Sequence, residues 1–185
     1  MKSVRRALYG GSFDPPHFGH QFLIHYLLES GRVDEVRVIP CNDHPLGKPL
    51  SPFAERAAWC EALVKPFKGR AVVDTVEAEL PIPSYSFQTA EALSALFPDD
   101  QLHWVIGSDA AAQLDQWVES QRLMAVAPLL IIGRQGSVEH PNQLPLEMPD
   151  VSSSEIRRRL RDGQSLSGLV PERVALILNK PIAFN

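Results

Sequence analysis

YGGSFDPPHFGH, residues 9–20, is the stretch on which the reading of this chain turns. It follows an apolar run, VRRALYG at 4–10, with the length and composition of a strand. It leads into HFGHQFLIHYLLESG at 17–31, where Phe22 and Tyr26, with Leu23 and Leu27, recur at helical spacing and Gly31 supplies a stop. Gly10 and Gly11 end the strand; glycine tolerates positive φ and lets backbone approach a ligand closely. Pro15 and Pro16 fix the turn. The helix beyond presents unpaired N–H groups and the positive end of its dipole, which suit an anion. His17 and His20, three apart in the first turn, share a face. The stretch is neither the dinucleotide fingerprint G-x-G-x-x-G nor a P-loop, since it lacks the Gly-Lys-Ser/Thr ending. Its His-x-x-His offers no third ligand at fixed spacing for zinc. Taken alone, it also reads as a capped helix start with two exposed histidines.

Outward from this stretch, short β-type runs alternate with longer helical ones. EVRVIPC (35–41), AVVDTVEAEL (71–80), LHWVIG (102–107) and PLLIIGR (128–134) read as strands, and PLEMP (145–149) as a further short one. SPFAERAAWCEALVK (51–65) reads as a helix capped by Ser51 with Pro52 at its first position. SYSFQTAEALSALF (84–97) is a helix with Ala90, Leu93 and Phe97 on one side, and DAAAQLDQWVESQRLMAVA (109–127) is largely helical. SSSEIRRRLRDG (152–163) and PERVALILNK (171–180) close the chain as two helices. Near-continuous apolar strands alternating with helices predict a doubly wound, Rossmann-like α/β fold with a parallel sheet covered on both faces. The expectation is one domain over 1–185, with a small helical segment at about 152–185. Ligands of such sheets bind at the carboxyl ends of the strands. The residues expected to converge are therefore 10–20, 42–48, 107–109 and Arg134.

The bulk numbers bound the function. A chain of 185 residues buries enough surface for a core without staples. A net charge of −4 argues against a dedicated nucleic-acid or membrane-surface protein. Cys41 and Cys60 make neither a disulfide framework nor a zinc site. No signal peptide and no bilayer-spanning run is visible, so a soluble, cytoplasmic protein is expected. Neither repeats nor low-complexity tracts occur.

GGSFDPPHFGH closely resembles the G-x-F-D-P-x-H-x-G-H signature of the nucleotidylyltransferase superfamily, and SSSEIR at 152–157 resembles its Ser-Ser-Ser/Thr-x-Ile-Arg signature. The two stand in the family order near opposite ends of the chain. PSYSFQTAEAL, VIGSDAAAQLDQW, LLIIGR and LVPERV are similar to the bacterial nicotinate (or nicotinamide) mononucleotide adenylyltransferases, so the resemblance covers nearly the whole chain. It implies attack by the phosphate of a pyridine mononucleotide on the α-phosphorus of ATP, with pyrophosphate leaving and no covalent intermediate. By the same resemblance, His17, His20 and Arg157 are the catalytic residues that contact the triphosphate. Gly10, Gly11, Ser12, Phe13, Lys48, Ser153 and Ser154 bind ATP or phosphate. Thr89, Asp109 and Trp117 bind the mononucleotide, Trp117 by stacking on the pyridine ring. Mg²⁺ is implied as the ion on the phosphates, held mostly by substrate and water, so no protein metal ligand is named.

Several of these residues have plainer roles too. Ser152 with Glu155 fits a capping box, and Ile156 with Leu160 a buried helix face. Arg158, Arg159 and Arg161 read as a solvated basic face, Asp109 as a helix cap, and Glu55–Arg56 as helix exterior. The chain also departs from the family. NDHPLGKPL at 42–50 replaces an Asn-Pro-Pro-His-Lys type loop, which leaves His44 and Lys48 at altered spacing, and Ser86 and Gln88 stand where Thr and Asp are usual. Nicotinamide mononucleotide, a phosphopantetheine-type acceptor, a cytidylyltransferase and a non-catalytic nucleotide-binding module are the alternatives. A homo-oligomer is left open.

Overall fold

The computed structural model describes residues 3–44, 46–133, 143–146 and 148–178. Six strands, β1 (Arg5–Gly11), β2 (Glu35–Pro40), β3 (Ala71–Val73), β4 (Gln101–Gly107), β5 (Leu129–Ile132) and β6 (Gln143–Leu144), form one sheet in the order β3-β2-β1-β4-β5-β6. All neighbouring strands are parallel. The helices are α1 (Phe18–Glu29), α2 (Phe53–Val64), α3 (Ser86–Leu96), α4 (Ser108–Ala111), α5 (Ser120–Val126), α6 (Ser153–Arg161) and α7 (Glu172–Leu178). The chain winds outward from β1 to β3, then returns across the sheet to β4. That reversal beside β1 opens a crevice at the carboxyl ends of β1 and β4, where an open α/β sheet binds its ligand.

Burial on both faces explains the continuous apolar strands. Along β1, Ala7 joins one apolar cluster and Leu8 the other; Val105 and Ile132 face the first, while Trp104, Ile106 and Ile131 face the second. The first cluster takes Leu23, Ile24 and Leu27 from α1, Trp59, Cys60 and Leu63 from α2, Ile156 from α6, and Val174 and Leu178 from α7. The second takes Ala90 and Leu93 from α3 and Leu123 from α5. Each large apolar side chain so buried contributes roughly 1.5–3 kcal/mol. No helix among the described residues is long and apolar enough to cross a membrane.

The structure corrects several local expectations. The strand expected at 71–80 pairs only through Val73. Asp74 then turns the chain, its Oδ1 accepting from the Val76 amide while Oδ2 accepts from Arg37, and a 3₁₀ turn follows at Val76–Glu79. The long helix expected at 109–127 is broken into α4, a 3₁₀ turn at Leu114–Gln116, and α5, with Glu119 in the left-handed region at φ 54°. The last short strand is Gln143–Leu144 instead of 145–149. Ser51 does not cap α2; Pro52 holds that position without a side-chain bond, while the Ser51 amide donates to Asp14. On α1, Phe22 is 41% exposed and the buried stripe is Leu23, Ile24, Leu27 and Leu28. Arg134 lies outside the described residues.

Candidate active site

The loop after β1 is shaped by packing. A Cβ at Gly10 would lie 2.9 Å from Cζ2 of the buried Trp104 ring, and one at Gly11 would lie 3.1 Å from the Phe13 ring. Neither glycine has positive φ. These glycines make room for two core rings, and no left-handed turn requires them. The left-handed residue is Phe13, at φ 45°. Such a conformation costs a non-glycine residue about 1–3 kcal/mol. Here it carries the side chain into the core, 1% exposed. The ring meets Tyr9 edge-on at 5.3 Å and His20 at 4.9 Å. Phe13 thus packs against the His20 imidazole.

His17 is the N-cap of α1. The Gly19 amide donates to His17 Nδ1 (3.2 Å), and the His17 amide donates to His20 Nδ1 (3.0 Å). With both Nδ1 atoms accepting, a neutral ring at either position carries its hydrogen on Nε2. The rings lie 3.8 Å apart, and His17 is buried rather than exposed.

The far end of the chain docks on this loop. Ser153 Oγ donates to the Pro15 carbonyl at 2.9 Å, and Arg157 Nη1 donates to the Asp14 carbonyl at 2.5 Å with Asp14 Oδ2 3.8 Å away. Arg157 Nη2 reaches Ser154 Oγ at 3.3 Å. The two signature segments therefore share one turn, across 138 and 143 residues of sequence. Ser152 Oγ caps α6 by accepting from the Glu155 amide. Glu155 does not return the bond: its carboxylate takes Arg158 and Arg159, which hold it down to about 2. Arg158 and Arg159 are thus paired on the helix surface instead of simply solvated, and Arg157 is the member of the run turned to the loop. Ile156 is fully buried and Leu160 partly so, as the spacing indicated.

The β2 loop contains the main surprise. Arg56 is 1% exposed, not exterior. Its Nε donates to the Ser51 carbonyl (2.8 Å), Nη1 to Ser12 (2.9 Å) and Nη2 to Asn42 (3.4 Å). The sequence did carry a signal: 56, 59, 60 and 63 form the buried stripe of α2, and register outweighs charge there. A cavity of about 390 Å³ opens above Arg56, lined also by Asn42, Asp43, Lys48 and Phe53. Lys48 is exposed at this cavity. His44 is tied into its own loop by the Leu46 amide; partial burial first, then Lys48, lowers its pKa. A larger apolar groove of about 960 Å³, along the outer side of α1 past Phe18, Phe22 and Phe67, contains none of the expected site residues.

The expected mononucleotide residues divide. Thr89 is fully buried, and its hydroxyl donates to Glu77 Oε1 (3.0 Å). Glu77, which sequence reasoning passed over in an acidic run, is 5% exposed and also accepts from Ser84 Oγ (2.7 Å) and the Asn42 amide (3.0 Å). Asp109 is exposed in the first turn of α4, whose N-cap is Gly107, so it is not the expected cap. Trp117 is half-buried against the second cluster, just past the 3₁₀ turn that follows β4 and α4. No three carboxylate, imidazole or thiol groups gather as a metal cage among the described residues.

A family model described as cytidylyltransferase-like matches residues 8–159. The probable nicotinate-nucleotide adenylyltransferase of Anaeromyxobacter dehalogenans is 37% identical over 171 residues, covering 91% of this chain and 90% of the relative. That of Geobacillus kaustophilus is 32% identical over 180 residues, covering 94% and 83%. Among solved structures, the Plasmodium falciparum nicotinic acid mononucleotide adenylyltransferase complexed with NaAD superposes with a TM-score of 0.80 at 18% identity, covering 95% of this chain and 94% of that one. At that identity the likeness bears on fold alone.

Proposed function

This chain belongs to the cytidylyltransferase-like family, and we propose that within it the protein is a nicotinate-nucleotide adenylyltransferase, joining the AMP part of ATP to nicotinate mononucleotide and releasing pyrophosphate. The reading is carried by one observation: Ser153 and Arg157 bond to the same turn, Asp14–Pro15, that leads into His17 and His20. Two helix N-termini, two imidazoles and a guanidinium are thereby gathered about one turn at the strand rim. That is a set of donors and positive charge suited to a triphosphate.

The chemistry asks little of a base. The mononucleotide phosphate is already an anion, and its oxygen attacks the α-phosphorus as the bond to the β-phosphate bridging oxygen breaks. Catalysis is then alignment of two polyanions and stabilisation of charge that grows on the phosphate oxygens. His17 and His20 donate from Nε2 toward those oxygens, Arg157 neutralises the leaving pyrophosphate, and the Ser153 and Ser154 amides at the start of α6 add donors. Lys48 approaches from the β2 loop. Asp109 accepts from sugar hydroxyls, and Trp117 offers a face to the pyridine ring. The bound Mg²⁺ would be held chiefly by the phosphates and water, and it supplies charge neutralisation.

The test is pyrophosphate and dinucleotide formation from ATP with nicotinate mononucleotide, nicotinamide mononucleotide and phosphopantetheine in parallel. Nicotinate mononucleotide is expected to react with the highest kcat/KM. ATP binding without product from any acceptor would contradict the reading and favour a nucleotide-binding module.

A further inference from the structure

Two buried charges grip one residue of the β2 loop from opposite sides. Arg56 donates to the Asn42 carbonyl, and the Asn42 amide donates to Glu77. From this shared residue, Arg56 reaches Ser12 and Ser51, and Glu77 reaches Ser84 and Thr89. An unbroken hydrogen-bonded tie therefore runs from the loop after β1 to the first turn of α3. It joins the segment assigned to the triphosphate with the segment assigned to the mononucleotide.

The chemistry of the tie is unusual for a core. The hydrogen bonds of the guanidinium described above all end on main-chain carbonyls, with the half-buried Cys41 thiol beside it. Those of the carboxylate all come from one amide and two hydroxyls. Burying a charge is costly, and a well-packed apolar side chain fills such a site more cheaply. What an apolar side chain lacks is direction. A guanidinium is a rigid fork with five donors and can fix three carbonyls at set distances from one another. At 1% and 5% exposure both charges are engaged within the protein, although Arg56 also borders the cavity of the β2 loop.

We propose that Arg56 and Glu77 are positioning residues that hold the Ser12 and Asn42 segments in fixed register, so that the attacking phosphate meets the α-phosphorus in line. The proposal rests on the function proposed above. It assigns Thr89 to the anchoring of this tie rather than to contact with the pyridine.

The experiment compares Arg56→Lys, Glu77→Ala and Glu77→Gln with the wild-type protein in steady-state dinucleotide formation, alongside thermal unfolding and the rate of Cys41 labelling by a disulfide reagent. Cys41 is half-buried next to Asn42 and reports whether the loop is held; Cys60 is fully buried, and burial pushes its thiol far up. Arg56→Lys keeps the charge but not the fork. It should remain folded, lose roughly 10- to 100-fold in kcat, keep its KM for ATP within about 3-fold, and label Cys41 at least about 10-fold faster. Glu77→Ala should behave alike. Glu77→Gln should stay within about 3-fold of wild type, since its amide oxygen still accepts from Asn42 and Ser84 and the Thr89 hydroxyl can turn to the Tyr85 carbonyl 3.5 Å away. A folded Arg56→Lys with unchanged kcat and unchanged labelling overturns the proposal, as does a loss of kcat that only tracks the unfolded fraction. Should Arg56→Lys not fold, Thr89→Val, which removes one bond at the far end, is expected to lower kcat and speed labelling; no change in either overturns the proposal. A wild-type protein that makes no dinucleotide overturns the functional reading instead, while Cys41 labelling still tests the tie.

Discussion

At the amino ends of β1, β2 and β4, arginines face carboxylates; at the carboxyl ends, they face main-chain carbonyls. In the first region Arg6 pairs with Glu35 and with Asp100 (2.7 Å), and Arg37 pairs with Glu35 (2.9 Å) and Asp74 (2.7 Å). Both guanidinium groups also lie against the Phe97 ring, at 4.3 and 4.2 Å. In the second region Arg56 and Arg157 bond to the carbonyls of Ser12, Asn42, Ser51 and Asp14, with Asp14 Oδ2 standing off at 3.8 Å from Arg157. A charge closed on its partner stabilises the fold and offers little outward. A charge held by neutral dipoles keeps most of its field, which a polyanion can use. One rim is built to hold the sheet, the other to receive phosphates.

Variants at the two rims should therefore fail differently. His20→Ala is expected to lower turnover by about 10²–10³-fold, some 3–4 kcal/mol of barrier, with the fold retained. Unchanged turnover in stopped assays of folded protein would remove His20 from the chemistry. Arg6→Met should do the reverse. It leaves the Asp100 carboxylate without its guanidinium and Glu35 with Arg37 alone, and should cost about 2–3 kcal/mol in denaturant unfolding, with kcat of the folded fraction unchanged. Gly10→Ala, at the carboxyl end of β1, tests packing beneath the site: overpacking against Trp104 should cost about 1–3 kcal/mol of stability, since the buried ring cannot give way. Trp117→Ala is expected to raise KM for the mononucleotide by about 10-fold, near 1.4 kcal/mol, and to leave KM for ATP unchanged. Equal effects on both constants would make Trp117 structural.

The smallest effect is a pH dependence on the structural side. Partial burial first, then Arg5, lowers the pKa of His103 on β4, against a backbone bond that raises it. A histidine whose folded pKa lies below its unfolded value near 6.5 favours the neutral ring in the native state. Its stabilising share is present above that value and is lost as pH falls below it. His103→Gln should flatten this part of the stability profile between about pH 7 and 5, read by urea midpoints; an unaltered slope would assign the dependence to other groups.

The contrast between the rims also marks what the sequence discloses. β1, β2, β4 and β5 were legible because burial on both faces gives each an apolar stretch, and α1 because its helical spacing and stop are local, although Phe22 proved exposed. The meeting of SSSEIR with the Asp14 turn followed from the resemblance, and residue types alone would not have given it. What stayed hidden was decided by tertiary context. Asp74 ends β3 early because Arg37 holds its carboxylate. Phe13 adopts left-handed backbone because the core draws its ring inward. Arg56 was discounted because a charged residue on a helix usually faces water, although its register with Trp59, Cys60 and Leu63 pointed to the core. Glu77 had no such register to betray it; only the fold brings Asn42, Ser84 and Thr89 around it.

The central claim is that the loop at 10–20 and the start of α6 at 152–157 grip one triphosphate together. Hydrogen–deuterium exchange with and without a non-hydrolysable ATP analogue and Mg²⁺ tests it most directly. The account predicts slowed exchange in both segments at the same analogue concentration, with the amino-end network unchanged. Protection confined to one of the two segments would contradict it.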